Sequence, residues 1–176
     1  MSNKQALREL QQRLAQRMQA AREQSQAASW LAVEAGGVPL LFSLRQASEI
    51  FTPVPLKPVP YTQPWLLGVA NLRGGLHTVV DLAAFLGLRE PGAPARGEGA
   101  RLVTINPDLN INCALLVDRL LGLRGDEQLQ PEPAEAAAGS RPRFAGQTLR
   151  DGEGRRWQAL DLEALARHEQ FLRIVA

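Results

Sequence analysis

The spacing of apolar residues changes character near residue 30. Upstream, Leu7, Leu10, Leu14, Met18 and Ala21 recur at intervals of 3, 4, 4 and 3, which places them on one stripe of a helix over residues 4–28. The residues between them are mostly Gln, Arg, Glu and Ala, good helix formers when exposed. The stripe is narrow and suits packing on the body of the protein or against a partner helix. Downstream, short β-type runs are cut by Gly and Pro. Residues 30–33 and 38–43 flank Gly36-Gly37 as a hairpin. Residues 44–50 read as a helical turn, and Pro53, Pro55, Pro58 and Pro60 mark an extended edge segment. Further strands are expected at 66–70, 76–80, 101–105, 111–117 and 120–123. A hairpin of 144–149 and 155–160 turns on Asp151-Gly152-Glu153-Gly154, and 162–174 reads as an amphipathic helix. Residues 89–100 and 131–143, rich in Gly, Pro and Ala, read as loops.

The most specified stretch is 64–87. A strand runs into Asn71-Leu72-Arg73-Gly74-Gly75, and a second strand ends on Asp81 and a short apolar helix. Asn71 can bond its own turn backbone and the glycines permit positive φ, so the tip should be fixed. A guanidinium on a fixed tip suits a carboxylate or backbone carbonyls of another protein; a solvated turn arginine is the competing reading. Residues 79–86 are echoed by 159–165, each a strand ending on an Asp placed as the N-cap of the next helix. Two similar small barrels, each closed by a helix, explain the echo. Chance similarity in an Ala/Leu-rich chain is the alternative.

A length of 176 residues with 45% hydrophobic content allows one domain, or two small lobes sharing a core. No run approaches the roughly 20 apolar residues of a membrane span, and the N-terminus has no apolar signal core. The single cysteine, Cys113, lies among apolar residues, which suggests a buried thiol in a strand and a reducing, cytoplasmic setting. Net charge is +2, but the first 29 residues carry five Lys/Arg against two Glu. That excess favours an acidic partner or simply a solvated helix face.

Candidate chemistry is sparse. His77 and His168 have no Cys, Asp or Glu spacing to complete a metal site. No hydrolase signature, phosphate loop or dinucleotide fingerprint occurs, and the cap role accounts for Asp81. No catalytic, cofactor-binding or metal residue is therefore expected. A small barrel that binds single-stranded nucleic acid is the alternative class, but aromatic residues make up only 5% of the chain and no basic–aromatic alternation occurs.

Gly68-Val69-Ala70-Asn71-Leu72-Arg73-Gly74, followed by Val79-Val80-Asp81-Leu82, resembles the signature of CheW-type chemotaxis coupling proteins. The similarity runs from about Trp30 to the C-terminus and includes Ser48-Glu49-Ile50 and Leu116-Val117-Asp118. The resemblance implies a mainly β fold, two SH3-like five-stranded β-barrel lobes around a shared core with N-terminal and C-terminal helices. The domain would span 29–176, after a helical arm at 1–28. It implies a non-catalytic cytoplasmic adaptor that links the tip of a methyl-accepting chemotaxis receptor to the regulatory domain of a CheA-type histidine kinase, with no cofactor, no nucleic acid and no direct membrane insertion. Within the family, the divergent sequence and the arm resemble adaptors of systems controlling type IV pili and twitching motility. The partner-binding positions it implies are Asn71, Arg73 and Gly74; Ala47, Glu49 and Ile50; and Val117, Arg119 and Leu120. Three positions depart from the family pattern: His77 and Thr78 where an aliphatic and Pro are usual, and Ala47 for a larger apolar residue.

Overall fold

The computed structural model describes residues 3–93, 97–133 and 141–176. The loops expected at 89–100 and 131–143 include residues 94–96 and 134–140, which lie outside the described residues. Helix α1 (Asn3–Ala27) leads directly into β1 (Ala28–Ala35), which forms a hairpin with β2 (Val38–Ser43). The chain then builds a five-stranded sheet from β3 (Ala47–Phe51), β4 (Leu66–Leu72), β5 (Gly75–Asp81), β6 (Arg101–Ile105) and β7 (Cys113–Val117), with α2 (Leu82–Phe85) after β5. It returns to the first sheet with β8 (Arg119–Gly125), β9 (Leu129–Pro131), β10 (Ala145–Asp151) and β11 (Arg156–Leu160), then ends in α3 (Leu162–Ala166) and α4 (Glu169–Leu172). The sheet orders are β8-β1-β2-β11-β10-β9 and β3-β6-β7-β5-β4. The fold is the mainly β, two-sheet arrangement expected; the first sheet gains its sixth strand from the three-residue β9.

The echo between 79–86 and 159–165 is architectural. Each sheet has one parallel joint, β5 with β7 and β11 with β2, and each joint involves the strand that leads into the repeated Asp cap. Asp81 accepts the Ala84 N–H (3.2 Å) and Asp161 accepts the Ala164 N–H (3.0 Å), each as an N-cap. Both caps are gripped from a distance, Asp81 by Arg89 and Asp161 by the Gln46 side-chain amide (2.9 Å).

Strand periodicity sorts the apolar residues into three cores. Ala70, Leu72, Val79, Leu102, Ala114 and Leu116 fill the five-stranded barrel. Ala32, Leu41, Leu149, Trp157 and Ala159 fill the other. The alternate positions, such as Leu31, Val33, Leu40, Phe42, Val80, Leu115 and Val117, meet between the lobes with Leu82, Leu162 and Leu165 of the helices. Strands buried on both faces carry apolar residues at successive positions, as in the Cys113–Val117 run.

Two expectations fail for tertiary reasons. Residues 47–51 are a strand rather than part of a helical turn. β3 pairs with β6, and the Thr104 hydroxyl accepts the Glu49 N–H (2.9 Å) and donates to its carbonyl (3.2 Å) across the irregularity. The terminal helix is two short ones, broken at His168, whose backbone is extended. The break lets Phe171 stack on Trp65 (6.1 Å between centroids) and meet Phe85 edge-on (5.2 Å). At this break the His168 ring packs edge-on against Phe144 (4.9 Å). No helix among the described residues is long and apolar enough to cross a membrane.

Candidate docking site

The loop between β4 and β5 contains only Arg73 and Gly74, because Leu72 pairs with Gly75. Both loop residues have positive φ, 48° and 81°. Two successive positive-φ residues make the tight hairpin turn whose twist matches the flanking strands, and Asn or Gly usually occupies the first position. Arg73 holds that position at a cost in backbone strain. The Gly74 N–H donates to Asn71 Oδ1 (2.9 Å), so Asn71 locks the turn. Gly75 begins β5.

Arg73 Nη1 lies 2.7 Å from Glu49 Oε2. Glu49 is on β3 and Arg73 follows β4, the two opposite edges of one sheet, so their contact requires the sheet to close on itself. The proline-rich segment completes the closure: Lys57 and Val69 exchange two backbone hydrogen bonds of 2.9 Å. Gly68 makes this possible, since at its φ of 140° a Cβ would stand 2.4 Å from the Lys57 carbonyl oxygen. Beside the Arg73 turn runs a cleft of about 430 Å³ lined by Val54, Pro55, Lys57, Val69, Ala70, Asn71 and Leu76. Leu76 is 65% exposed and Ile50 44%. Three-quarters of the Arg73 side chain remains in solvent. The arrangement offers a directed cation, a carboxylate and apolar surface.

Asn71, Arg73, Gly74, Glu49 and Ile50 thus lie on one sheet, with Arg73 and Glu49 in contact. Ala47 and Val117 are buried in the inter-lobe core by the inward phase of their strands. Arg119 and Leu120 are on β8 of the other sheet. Arg119 bonds Glu34 (2.9 Å), which holds its guanidinium above the ordinary range, and Leu120 packs half-buried against the shared core. His77 Nδ1 is 3.0 Å from the Gly75 carbonyl, and the Thr78 hydroxyl donates to the Asn112 carbonyl (3.1 Å). Burial pushes the Cys113 thiol up to about 12, with the neighbouring Thr78 hydroxyl opposing the shift. Among the described residues no group of three or more His, Cys, Asp or Glu is arranged to hold a metal ion.

Sequence reasoning missed a buried ionic clamp. Arg89, read as the start of a polar loop, lies with its guanidinium 2.6 Å from both Asp81 and Asp118. Asp118 also accepts the Gly36 N–H (2.7 Å). One arginine therefore joins the end of β5, the β7–β8 junction and the β1–β2 turn, which belong to both sheets. Burial lowers the affinity of Arg89 for its proton, but the two carboxylates outweigh it and hold the value above the ordinary range. Leu76 and the cleft were missed too; an apolar residue next to a turn was the available signal.

The chain belongs to the CheW-like domain family, whose model matches residues 29–170, and the two small lobes around a shared core agree with that membership. The chain is 30% identical over 166 residues to Protein PilI of Pseudomonas aeruginosa, covering 91% of this chain and 87% of that protein. That coverage reaches into the N-terminal helix. The fold is also that of the crystal structure of the scaffolding protein TtCheW from Thermoanaerobacter tengcongensis, with a TM-score of 0.61 at 16% identity over 77% of this chain and 89% of that one.

Proposed function

We propose that this chain is a non-catalytic cytoplasmic adaptor that couples a methyl-accepting chemotaxis receptor to the regulatory domain of a CheA-type histidine kinase, in a system controlling type IV pili and twitching motility. The observation that carries the reading is Arg73, held at positive φ on a two-residue turn, largely exposed and beside an apolar cleft. Backbone strain retained at an exposed tip points to a functional demand on that side chain. Membership of the CheW-like family supports the adaptor role, and likeness to PilI supports the pilus-linked branch. In this mechanism Ile50, Leu76 and the cleft supply apolar binding energy while Arg73 and Glu49 set register and partner choice. Receptor conformation biases the kinase because the adaptor's contacts differ in strength between the two receptor states. The Arg89 clamp keeps the two barrels in a fixed relation, so displacement at one edge moves the whole adaptor.

The test is binding of purified kinase regulatory domain and receptor cytoplasmic tip to wild type and Arg73→Glu. Affinity for at least one partner is expected to fall by about tenfold or more, equivalent to about 1.4 kcal/mol, with thermal stability retained. Unchanged affinity for both overturns the assignment. A pull-down from a piliated bacterium should recover a receptor and a histidine kinase. Recovery of nucleic acid instead, released by high salt, identifies a single-strand binder.

A further inference from the structure

Helix α1 remains outside the docking site just described. Its residues 5–23 are exposed throughout, including the four long apolar side chains Leu7, Leu10, Leu14 and Met18 at 52–60% exposure. The helix is about 37 Å long and touches the body at β8. Its exit is anchored, because Asp126 accepts hydrogen bonds from the Ser29 hydroxyl (2.9 Å) and the Trp30 indole N–H (2.7 Å) at the start of β1. The helix runs straight into that anchored strand, and its apolar seam is uncovered.

We infer that α1 is a docking helix for an acidic amphipathic helix of another protein, an interaction beyond the adaptor reading and independent of the Arg73 surface. Three observations select this occupant. First, at 3.6 residues per turn the four long apolar side chains fall within about 80°, a seam for another helix rather than the wide apolar face of a membrane-surface helix. The helix also has no aromatic residue to seat at a lipid interface. Secondly, the spacing repeats after 11 residues, Leu7 to Met18 and Leu10 to Ala21, which keeps the seam aligned along a partner helix. Thirdly, the borders of the seam are basic. Arg13 and Arg17 follow Leu10 and Leu14 by three residues, and Arg22 follows Met18 by four, spacings that make each arginine a helix-surface neighbour of an apolar residue. Both glutamates, Glu9 and Glu23, lie on the far face, where Glu23 accepts from Gln19 (3.4 Å). A second copy would set basic border against basic border. Acidic borders on a different helix answer each arginine.

The experiment uses the full chain and two synthetic helical peptides. Both carry leucines at the same 3, 4, 4, 3 spacing, one with Glu and one with Lys at the seam borders. The Glu peptide is expected to bind about tenfold or more tightly than the Lys peptide, and to weaken by about tenfold between about 50 and about 500 mM salt. Leu10→Ser/Leu14→Ser should abolish that binding with an unchanged thermal midpoint, whereas Arg73→Glu should leave it intact. Equal affinity for the two peptides, no binding to either, sedimentation as a dimer, or tighter binding to phosphatidylglycerol vesicles overturns the inference.

Discussion

Arg73 and Glu49 form an exposed ion pair, 2.7 Å between Nη1 and Oε2, that joins the opposite edges of one closed sheet. An exposed pair contributes about 0–1 kcal/mol, and the left-handed backbone at Arg73 costs a similar amount against Asn. Arg73→Asn is therefore expected to change unfolding free energy by less than about 1 kcal/mol while reducing partner affinity. Chemical denaturation and binding measured on the same samples check this. A loss beyond about 2 kcal/mol would make Arg73 a structural residue, contrary to the proposal.

Gly68 and Gly74 both have positive φ, but their surroundings differ. A Cβ at Gly68 would meet the Lys57 backbone, whereas at Gly74 nothing lies within 4 Å. Gly68→Ala should cost about 2–4 kcal/mol through strain and displacement of the closing segment. Gly74→Ala should cost about 1 kcal/mol through strain alone. Equal losses in urea unfolding would show that the Lys57 segment yields without resistance.

The hairpins, both Asp caps and the fixed Arg73 turn were legible because each rests on short-range signals: period-two runs, turn residues, and an Asp at a strand-to-helix junction. Their partners were not. Glu49 reaches Arg73 only when the sheet closes, and Arg89 finds Asp81 and Asp118 only when the two sheets meet. Ala47 and Val117, expected at the surface from the family resemblance, are turned inward by their phase in β3 and β7. The same distinction explains β3, whose polar sequence looks locally helical until Thr104 supplies a partner for its backbone.

The Arg89 clamp should be costly to break and cheaper to delete whole. Arg89→Met leaves two buried carboxylates facing each other without a cation, and a loss of about 3–5 kcal/mol is expected. Arg89→Met/Asp81→Asn/Asp118→Asn removes the stranded charge, and the Asp81→Asn change keeps a side-chain oxygen to cap α2. The triple variant should regain more than half of the lost stability in equilibrium unfolding. If it is no more stable than the single variant, charge burial is not what makes Arg89 important.

Asp151 gives the β10–β11 hairpin a defined dependence on pH. One carboxylate oxygen accepts the backbone N–H groups of Glu153 (3.0 Å) and Arg155 (2.9 Å), and the other accepts the indole N–H of fully buried Trp157 (2.9 Å). The Trp157 bond is the main cause that holds Asp151 below the ordinary aspartate value of 3.8, with the two backbone bonds and nearby Arg124 assisting against partial burial. A depressed value means that the folded state favours the anion. The associated stability is present above the unfolded value and lost as pH falls through the folded one, so the window lies below about pH 4. Asp151→Asn keeps an oxygen for the turn, but its amide cannot accept the indole proton, leaving a buried donor unpaired at about 1–3 kcal/mol near neutral pH. The stability gap between wild type and Asp151→Asn should be constant from pH 7 to about 5 and shrink below about pH 4. A gap unchanged down to about pH 2 would place the hairpin's stability in its apolar contacts alone.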